Sequence, residues 1–158
     1  GCIMKKSAIK SISLLCCLSI VIGLLAGCGK TKGNTITDVI TTAEEVYVNG
    51  VLTDTVEARM GAFQGKQGDY IEFRFAEPQC FNTIFINEKT ATIRQYNIYA
   101  ETDGKYKLVH TGKNIFQENI IIEPVVATAF KLEIVNTAIG DDSFIIQGVS
   151  AYDIQEGV

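Results

Sequence analysis

One segment, residues 68–98, constrains the fold of this chain more than any other. At its start, Ile71, Phe73 and Phe75 alternate with the charged residues Glu72 and Arg74. Successive side chains of a β-strand point to opposite faces, so this alternation predicts a strand with one buried and one solvated face. The rest of the chain is therefore expected to build a sheet that buries the apolar face.

Two more strands are predicted directly after the first. Proline has no N–H for a sheet ladder, so Glu77 and Pro78 are expected to end the first strand. An apolar run at residues 81–86 predicts the second strand, and a polar loop at residues 87–95 leads to a third that begins near Tyr96. Three strands so close in sequence predict an antiparallel meander.

The remainder of the chain continues the same pattern. Asp103 and Gly104 lie between two strand-like segments, and an Asp-Gly pair in that position indicates a tight hairpin turn. Residues 48–67 are predicted to be a long loop with one helical turn. Other strands are expected at residues 36–47 (weakly), 120–122, 130–134 and 144–153. Short strands without a long helical segment predict an all-β sandwich, a single domain at residues 36–158.

The N-terminal part has the layout of a secretory signal. Lys5, Lys6 and Lys10 accompany a short apolar run at residues 12–25, which is shorter than the roughly 20 residues of a membrane-spanning helix. The sequence Leu-Ala-Gly-Cys at residues 25–28 resembles the lipobox of bacterial lipoproteins. It implies a signal peptide at residues 1–27, a lipid on Cys28, a tether at residues 28–35 and export to a bacterial membrane. An ordinary signal peptide that ends in cysteine is the alternative.

The charge balance limits the possible partners. The whole chain has a formal net charge of −4, with 14 basic and 18 acidic residues. Three of the basic residues would leave with the signal peptide and all the acidic ones would stay, which gives the mature chain a net charge of −7. Such a surface repels phosphate backbones and anionic lipids, which argues against nucleic acid as a partner.

The predicted strands also carry a family resemblance. The segments are GDYIEFRF at 68–75, FNTIFINEK at 81–89, RQYNIY at 94–99, DGKYKLV at 103–109 and FKLEI at 130–134. In this order they resemble the discoidin-like, coagulation factor 5/8 type C module, and within it family 32 carbohydrate-binding modules and the C-terminal module of α-L-fucosidases. The resemblance covers residues 49–154 and implies a galactose-binding-like jelly roll.

The same resemblance implies where a ligand would bind. In family 32 modules the ligand lies on loops at one end of the sandwich, which correspond here to residues 54–63, 87–94 and 141–144. The chain has no tryptophan, so Phe63 or Phe144 is expected to provide the stacking face for a sugar ring. The polar contacts are expected from Arg59, Glu88, Arg94, Asp141 and Asp142. The alternatives are an internal Glu88–Arg94 ion pair, core packing of both rings and a solvated turn at the two aspartates.

A structural calcium ion is a further expectation from the resemblance. Asp54 matches the family's aspartate ligand in the first loop, whereas the glutamate of the last strand falls on Gly148. Calcium takes about six to eight oxygen ligands with carboxylates among them, so the loss of one carboxylate weakens the site.

No segment of the sequence matches a catalytic motif such as G-x-S-x-G or H-E-x-x-H. We therefore expect a non-catalytic, lipid-anchored module that binds a carbohydrate, of a terminal galactose or fucose type. The alternative is a protein-interaction or structural subunit of a cell-envelope complex. Exposure of Phe63 or Phe144 beside the charged groups would favour the sugar, and burial of both rings would favour the protein partner.

Overall fold

The computed structural model describes residues 36–115 and 119–155, which belong to one compact unit, Gly33–Val158. A 3₁₀ turn at Val39–Thr42 precedes the sheet, and one short helix, α1, spans Val56–Arg59. The strands are β1 (Ala43–Val48), β2 (Val51–Leu52), β3 (Phe63–Lys66), β4 (Tyr70–Glu88), β5 (Ile93–Thr102), β6 (Lys105–Gly112), β7 (Ile120–Thr137) and β8 (Ser143–Tyr152). The predicted all-β class is confirmed.

The strand pairing defines two sheets that share β4 and β7. The larger sheet has the order β2-β1-β4-β7-β5-β6 and uses the first part of β4 with the last part of β7. The smaller sheet places β8 between β3 and the last part of β4, and the first part of β7 pairs with β4 on its other side. All of these pairs are antiparallel. Since two strands pass from one sheet to the other, the sheets enclose a common core as a sandwich.

The expectation that Pro78 ends its strand is wrong, and the second proline, Pro124, does not end its strand either. β4 continues through Pro78 and β7 continues through Pro124. The effect of Pro78 is local, because the β4–β7 register jumps from the Arg74–Ala129 pair to the Gln79–Ala127 pair. A missing N–H interrupts the ladder at one position, and β4 uses that position to cross between the sheets.

The core lies between the two sheets, as the alternation in residues 70–75 predicts. Ile71 and Phe73 are fully buried. Phe130 of β7 contacts Phe73 from the larger sheet and Phe81 from the smaller one, with ring centroids 6.0 and 5.7 Å apart. Both distances lie within the range in which aromatic pairs stabilise a core.

The hairpin between β5 and β6 also has the predicted turn. Asp103 and Gly104 have φ angles of 53° and 73°, which are the positive values that this tight turn needs. In residues 36–115 and 119–155 there is no helix with the length and hydropathy needed to cross a membrane. The predicted signal peptide, tether and Cys28 lie outside the described residues.

Candidate functional site

Two of the three predicted ligand loops meet at one end of the sandwich. The carbonyl of Thr92, in the β4–β5 loop, accepts a hydrogen bond from the Ala138 N–H of the β7–β8 loop (2.7 Å). The Thr92 hydroxyl donates to the carbonyl of Ser143 (2.7 Å), and the Thr90 hydroxyl accepts from the N–H of Ile145 (3.1 Å). We call this region, residues 88–93 and 136–143 with the β3–β4 turn at 67–69, the loop end.

Gln67 connects the β3–β4 turn to the loop end. Its N–H donates to the carbonyl of Asp142 (2.9 Å), and its side-chain oxygen accepts from the N–H (3.1 Å) and the hydroxyl (3.3 Å) of Thr137. The sequence did not identify Gln67 as a site residue. The available signal was a Gln-Gly turn before a strand, but only the strand register shows which loop the turn approaches.

A shallow depression of about 450 Å³ lies at the loop end, lined by Gln67 and residues 136–142. The predicted residues Asp141 and Asp142 are both part of it. Ile139, at the tip of the β7–β8 loop, is fully exposed. None of the lining residues is basic, so the depression has amide and carboxylate groups beside two apolar side chains, those of Ala138 and Ile139.

Asp141 has a structural role in the loop as well. Its carboxylate accepts hydrogen bonds from the N–H (3.1 Å) and the hydroxyl (2.7 Å) of Ser143, and these bonds lower its pKa. Because both bonds stabilise the ionised form, Asp141 is a charged group that fixes the turn. Within the described part of the chain, the Asp142 carboxylate and the side-chain nitrogen of Gln67 have no hydrogen-bond partner, so both are available to a ligand.

Phe63 and Phe144 do not form a stacking face in this structure. Only 7% of Phe63 and 1% of Phe144 is exposed, and the two rings pack edge to face with centroids 5.1 Å apart. The cause is the strand register: Phe63 pairs with Ile146 on β8, and Phe144 lies two residues before Ile146 on the same inward face. Both rings therefore pack in the core, which is the alternative considered for them.

Glu88 and Arg94 each fix the β4–β5 loop through backbone groups. The Glu88 carboxylate accepts from the N–H of Ile93 (3.1 and 3.4 Å), and burial raises its pKa. Arg94 donates to the carbonyls of Ala91 (2.8 Å) and Ile93 (3.2 Å). The two side chains do not form the ion pair that was the alternative, although both hold the loop that supports the depression.

Arg59 and Asp54 lie in the third predicted loop, which does not join the loop end. The Arg59 guanidinium binds the Asp54 carboxylate at 2.6 Å and also donates to the carbonyl of Ala43 (3.2 Å). Farther along, the carbonyl of Met60 accepts from the N–H of Val149 in the middle of β8 (3.2 Å). Across the described ranges, no hydrogen bond or ion pair connects this loop to residues 136–142.

The residues around Asp54 do not fit a calcium ion. The Asp54 carboxylate is already paired with Arg59, and no group of three or more His, Cys, Asp or Glu residues that could hold a metal exists in residues 36–115 and 119–155. The position that the resemblance assigns to a second carboxylate is Gly148, which has no side-chain oxygen. A guanidinium thus provides the positive charge beside Asp54.

The fold is similar to those of many solved structures, although no family model and no curated protein matches the sequence. One match is a Bacteroides thetaiotaomicron protein, provisionally assigned as an α-L-fucosidase, with 26% identity over 60% of this chain and a TM-score of 0.51. Another is the family 32 carbohydrate-binding module of Clostridium perfringens NanJ in complex with galactose, with 12% identity, 75% coverage and a TM-score of 0.56. A Ruminococcus gnavus GH29 fucosidase in complex with fucose matches with 17% identity over 76% of this chain and a TM-score of 0.57.

The share of the matched protein that this chain covers differs between the longer fucosidase proteins and the isolated binding module. This chain covers 22% of the B. thetaiotaomicron protein and 27% of the R. gnavus fucosidase, but 99% of the C. perfringens module. It corresponds to one module of the longer enzymes and to the whole of the binding module. The predicted discoidin-like, galactose-binding-like fold is thereby confirmed.

Proposed function

We propose that this protein is a non-catalytic carbohydrate-binding module that captures an uncharged sugar of the terminal galactose or fucose type at the loop end. The observation that carries the proposal is the correspondence with whole binding modules, among them the C. perfringens module in complex with galactose, which this chain covers almost completely. The polar depression at the loop end supports the proposal, because it lies on loops at one end of the sandwich. Fold likeness alone does not determine a ligand, so the chemistry of the depression has to agree.

The groups in the depression suit sugar hydroxyls. Hydrogen bonds between a carboxylate and a hydroxyl are stronger than neutral ones, and Asp142 offers an unoccupied carboxylate. The Gln67 side chain is held at its oxygen by Thr137, which leaves its N–H groups as donors to a ligand oxygen. Ile139 supplies an apolar contact for the C–H face of the ring. Because the lining contains acids and no bases, it disfavours uronic and sialic acids.

The second part of the proposal is display on a bacterial membrane through a lipid on Cys28. It is supported by the basic start, the short apolar run and the Leu-Ala-Gly-Cys sequence. A shallow site binds a single sugar weakly, and many copies anchored on one membrane would raise the effective affinity. An intact-mass measurement of the mature protein that matched an unmodified Cys28 would contradict the anchor.

One observation favours the second candidate, a protein-interaction or structural subunit of an envelope complex. Phe63 and Phe144 are both buried, so the loop end has no aromatic face among its described residues. Sugar sites commonly use such a face, and Ile139 is a weaker substitute. A folded sample that binds no glycan would shift the assignment to this candidate.

We expect Asp142→Asn to weaken the affinity for the bound sugar by about tenfold, because one charge-assisted hydrogen bond becomes a neutral one. The measurement is a calorimetric titration with galactose and with fucose. The matched control is Asp103→Asn in the β5–β6 hairpin, which changes the charge equally and keeps a residue that tolerates φ of 53°. Equal affinities for Asp142→Asn and the control would contradict the placement of the site.

A further inference from the structure

The outward face of the larger sheet carries a group of tyrosines around one lysine. The Lys131 ammonium lies 4.6 Å from the ring centroid of Tyr106, 4.7 Å from that of Tyr99 and 5.4 Å from that of Tyr70. These residues come from four neighbouring strands, β4, β7, β5 and β6. We call Lys131, the three tyrosines and the neighbouring charged residues Glu72, Arg74, Glu101 and Glu133 the sheet face. No residue of the sheet face belongs to the loop end, although Tyr70 follows directly on the β3–β4 turn at 67–69.

The strand pairing makes the sheet face a regular array. Lys131 pairs with Glu72 on one side and Tyr99 on the other, and Tyr70 pairs with Glu133 in the next row. Paired residues in adjacent strands point to the same side, so these groups share one surface. All of them are partly exposed.

The acidic side chains of the sheet face are held in place by neighbours. Glu72 accepts from the Tyr106 hydroxyl at 2.7 Å, and Glu133 accepts from the Tyr99 hydroxyl at 3.2 Å. Glu101 is ion-paired with Arg74 at 3.0 Å. Each carboxylate can accept several hydrogen bonds, so acceptor positions remain after these contacts.

Lys131 differs from its neighbours in its contacts. Within the described ranges its ammonium forms no hydrogen bond and has no carboxylate at salt-bridge distance; the three rings are its contacts. Ring faces stabilise a cation but do not satisfy its N–H groups as oxygen acceptors do. The sheet face therefore presents the three N–H donors of one ammonium beside carboxylates that are held by their neighbours, a combination that suits the hydroxyls of a sugar.

The net charge of the sheet face disfavours one class of ligand. Glu72, Glu101 and Glu133 outnumber Arg74 and Lys131, so the sheet face is slightly acidic and repels an anionic polymer. We infer that the sheet face is a second glycan-binding surface, on which an uncharged oligosaccharide lies across the strands. Its hydroxyls accept from Lys131 and donate to Glu133 and Glu72, and its C–H groups contact the tyrosine rings. The choice of a glycan as occupant rests on the proposed function, whereas the surface itself does not.

Two surfaces on one module would change how it binds a polysaccharide. A chain that reached both would bind the second surface at a high effective concentration. Single sugars would then occupy the loop end alone, and longer chains would bind more tightly than single sugars.

The test is NMR chemical-shift mapping of the compact unit Gly33–Val158 with two neutral probes, β-1,4-galactohexaose and N-acetylchitohexaose. We expect at least one probe to perturb the amides of Tyr70, Tyr99 and Lys131. Lys131→Met should weaken that binding at least tenfold, and Lys131→Arg should retain most of it because the cation and its donors stay. Lys105→Met, at the exposed β5–β6 hairpin, makes the same charge change elsewhere and should have no effect. A thermal melt of each variant checks that the fold is intact.

The outcomes separate this inference from the proposed function. Perturbations confined to the loop end and unchanged by Lys131→Met would overturn the sheet-face site and leave the proposed function standing. Perturbations at the sheet face that persist in Asp142→Asn would support the sheet-face site independently of the loop end. An absence of perturbation at the sheet face with both probes would overturn it.

Discussion

Phe144→Ala is expected to lower the free energy of unfolding by about 3–5 kcal/mol, the usual cost of removing a buried aromatic ring. The reason is the burial of Phe144 in the core, where its ring packs edge to face against Phe63. The substitution removes this contact and leaves a cavity that the rigid strands β3 and β8 cannot close. Chemical denaturation of the wild type and the variant measures the effect.

A second substitution at the same position separates a core role from a ligand role. Phe144→Leu keeps an apolar side chain and should cost about 1.5 kcal/mol. It should leave glycan affinity unchanged, because the ring does not reach the surface. A Phe144→Leu protein that is almost as stable as the wild type but no longer binds glycan would contradict the core assignment and restore the stacking role.

Gly61→Ala should destabilise the protein clearly more than Gly104→Ala. Both glycines have positive φ angles, 81° and 73°, so an L-residue is strained at either position, at a cost of about 1–2 kcal/mol. At Gly61, however, a Cβ atom would lie 2.5 Å from the N and 2.9 Å from the Cα of Val149, whereas at Gly104 it would meet nothing within 4 Å. Overpacking of this kind adds about 1–3 kcal/mol.

The comparison of the two glycine variants tests the packing of the loop at residues 54–62 against β8. Denaturation midpoints of both proteins, measured under the same conditions, give the difference directly. A larger effect at Gly61 supports the close approach of the loop to the backbone of Val149. Equal effects would mean that the loop can move away from β8 without cost, which would contradict this packing.

The buried faces of the strands could be predicted from the sequence because they depend on local alternation. Ile71, Phe73 and Phe75 are all buried as the period of two predicts. The Asp103-Gly104 turn could be predicted for a similar reason, since its two positive φ angles limit the residues that fit. In both cases the structure is determined by residues that are close together in the sequence.

The passage of β4 and β7 between the sheets could not be predicted in this way. A proline removes one donor, and the sequence does not show whether the strand ends there or continues in the other sheet. The structure shows the second outcome at Pro78, whereas at Pro124 strand β7 continues while it remains paired with the last part of β4. The result depends on whether partner strands are available on both sides of the bend.

The sequence indicates some residues of the depression and not others. Asp141 and Asp142 lie in the depression, because a polar turn before a strand almost always lies at an end of a sandwich. The burial of Phe144 is indicated by the sequence, because Ile146 follows it at a spacing of two, which is typical of an inward face. The position of Gln67 and the grouping of the tyrosines around Lys131 depend on the register between distant strands, which no local pattern encodes.

The most direct test of the central claim is a glycan-array screen of the compact unit Gly33–Val158, with and without calcium. We predict reproducible binding to uncharged glycans that end in galactose or fucose. The binding should be the same in both conditions, because Arg59 occupies the Asp54 carboxylate. A blank array from a folded, monodisperse sample would contradict carbohydrate binding, and binding that requires calcium would contradict the account of Asp54.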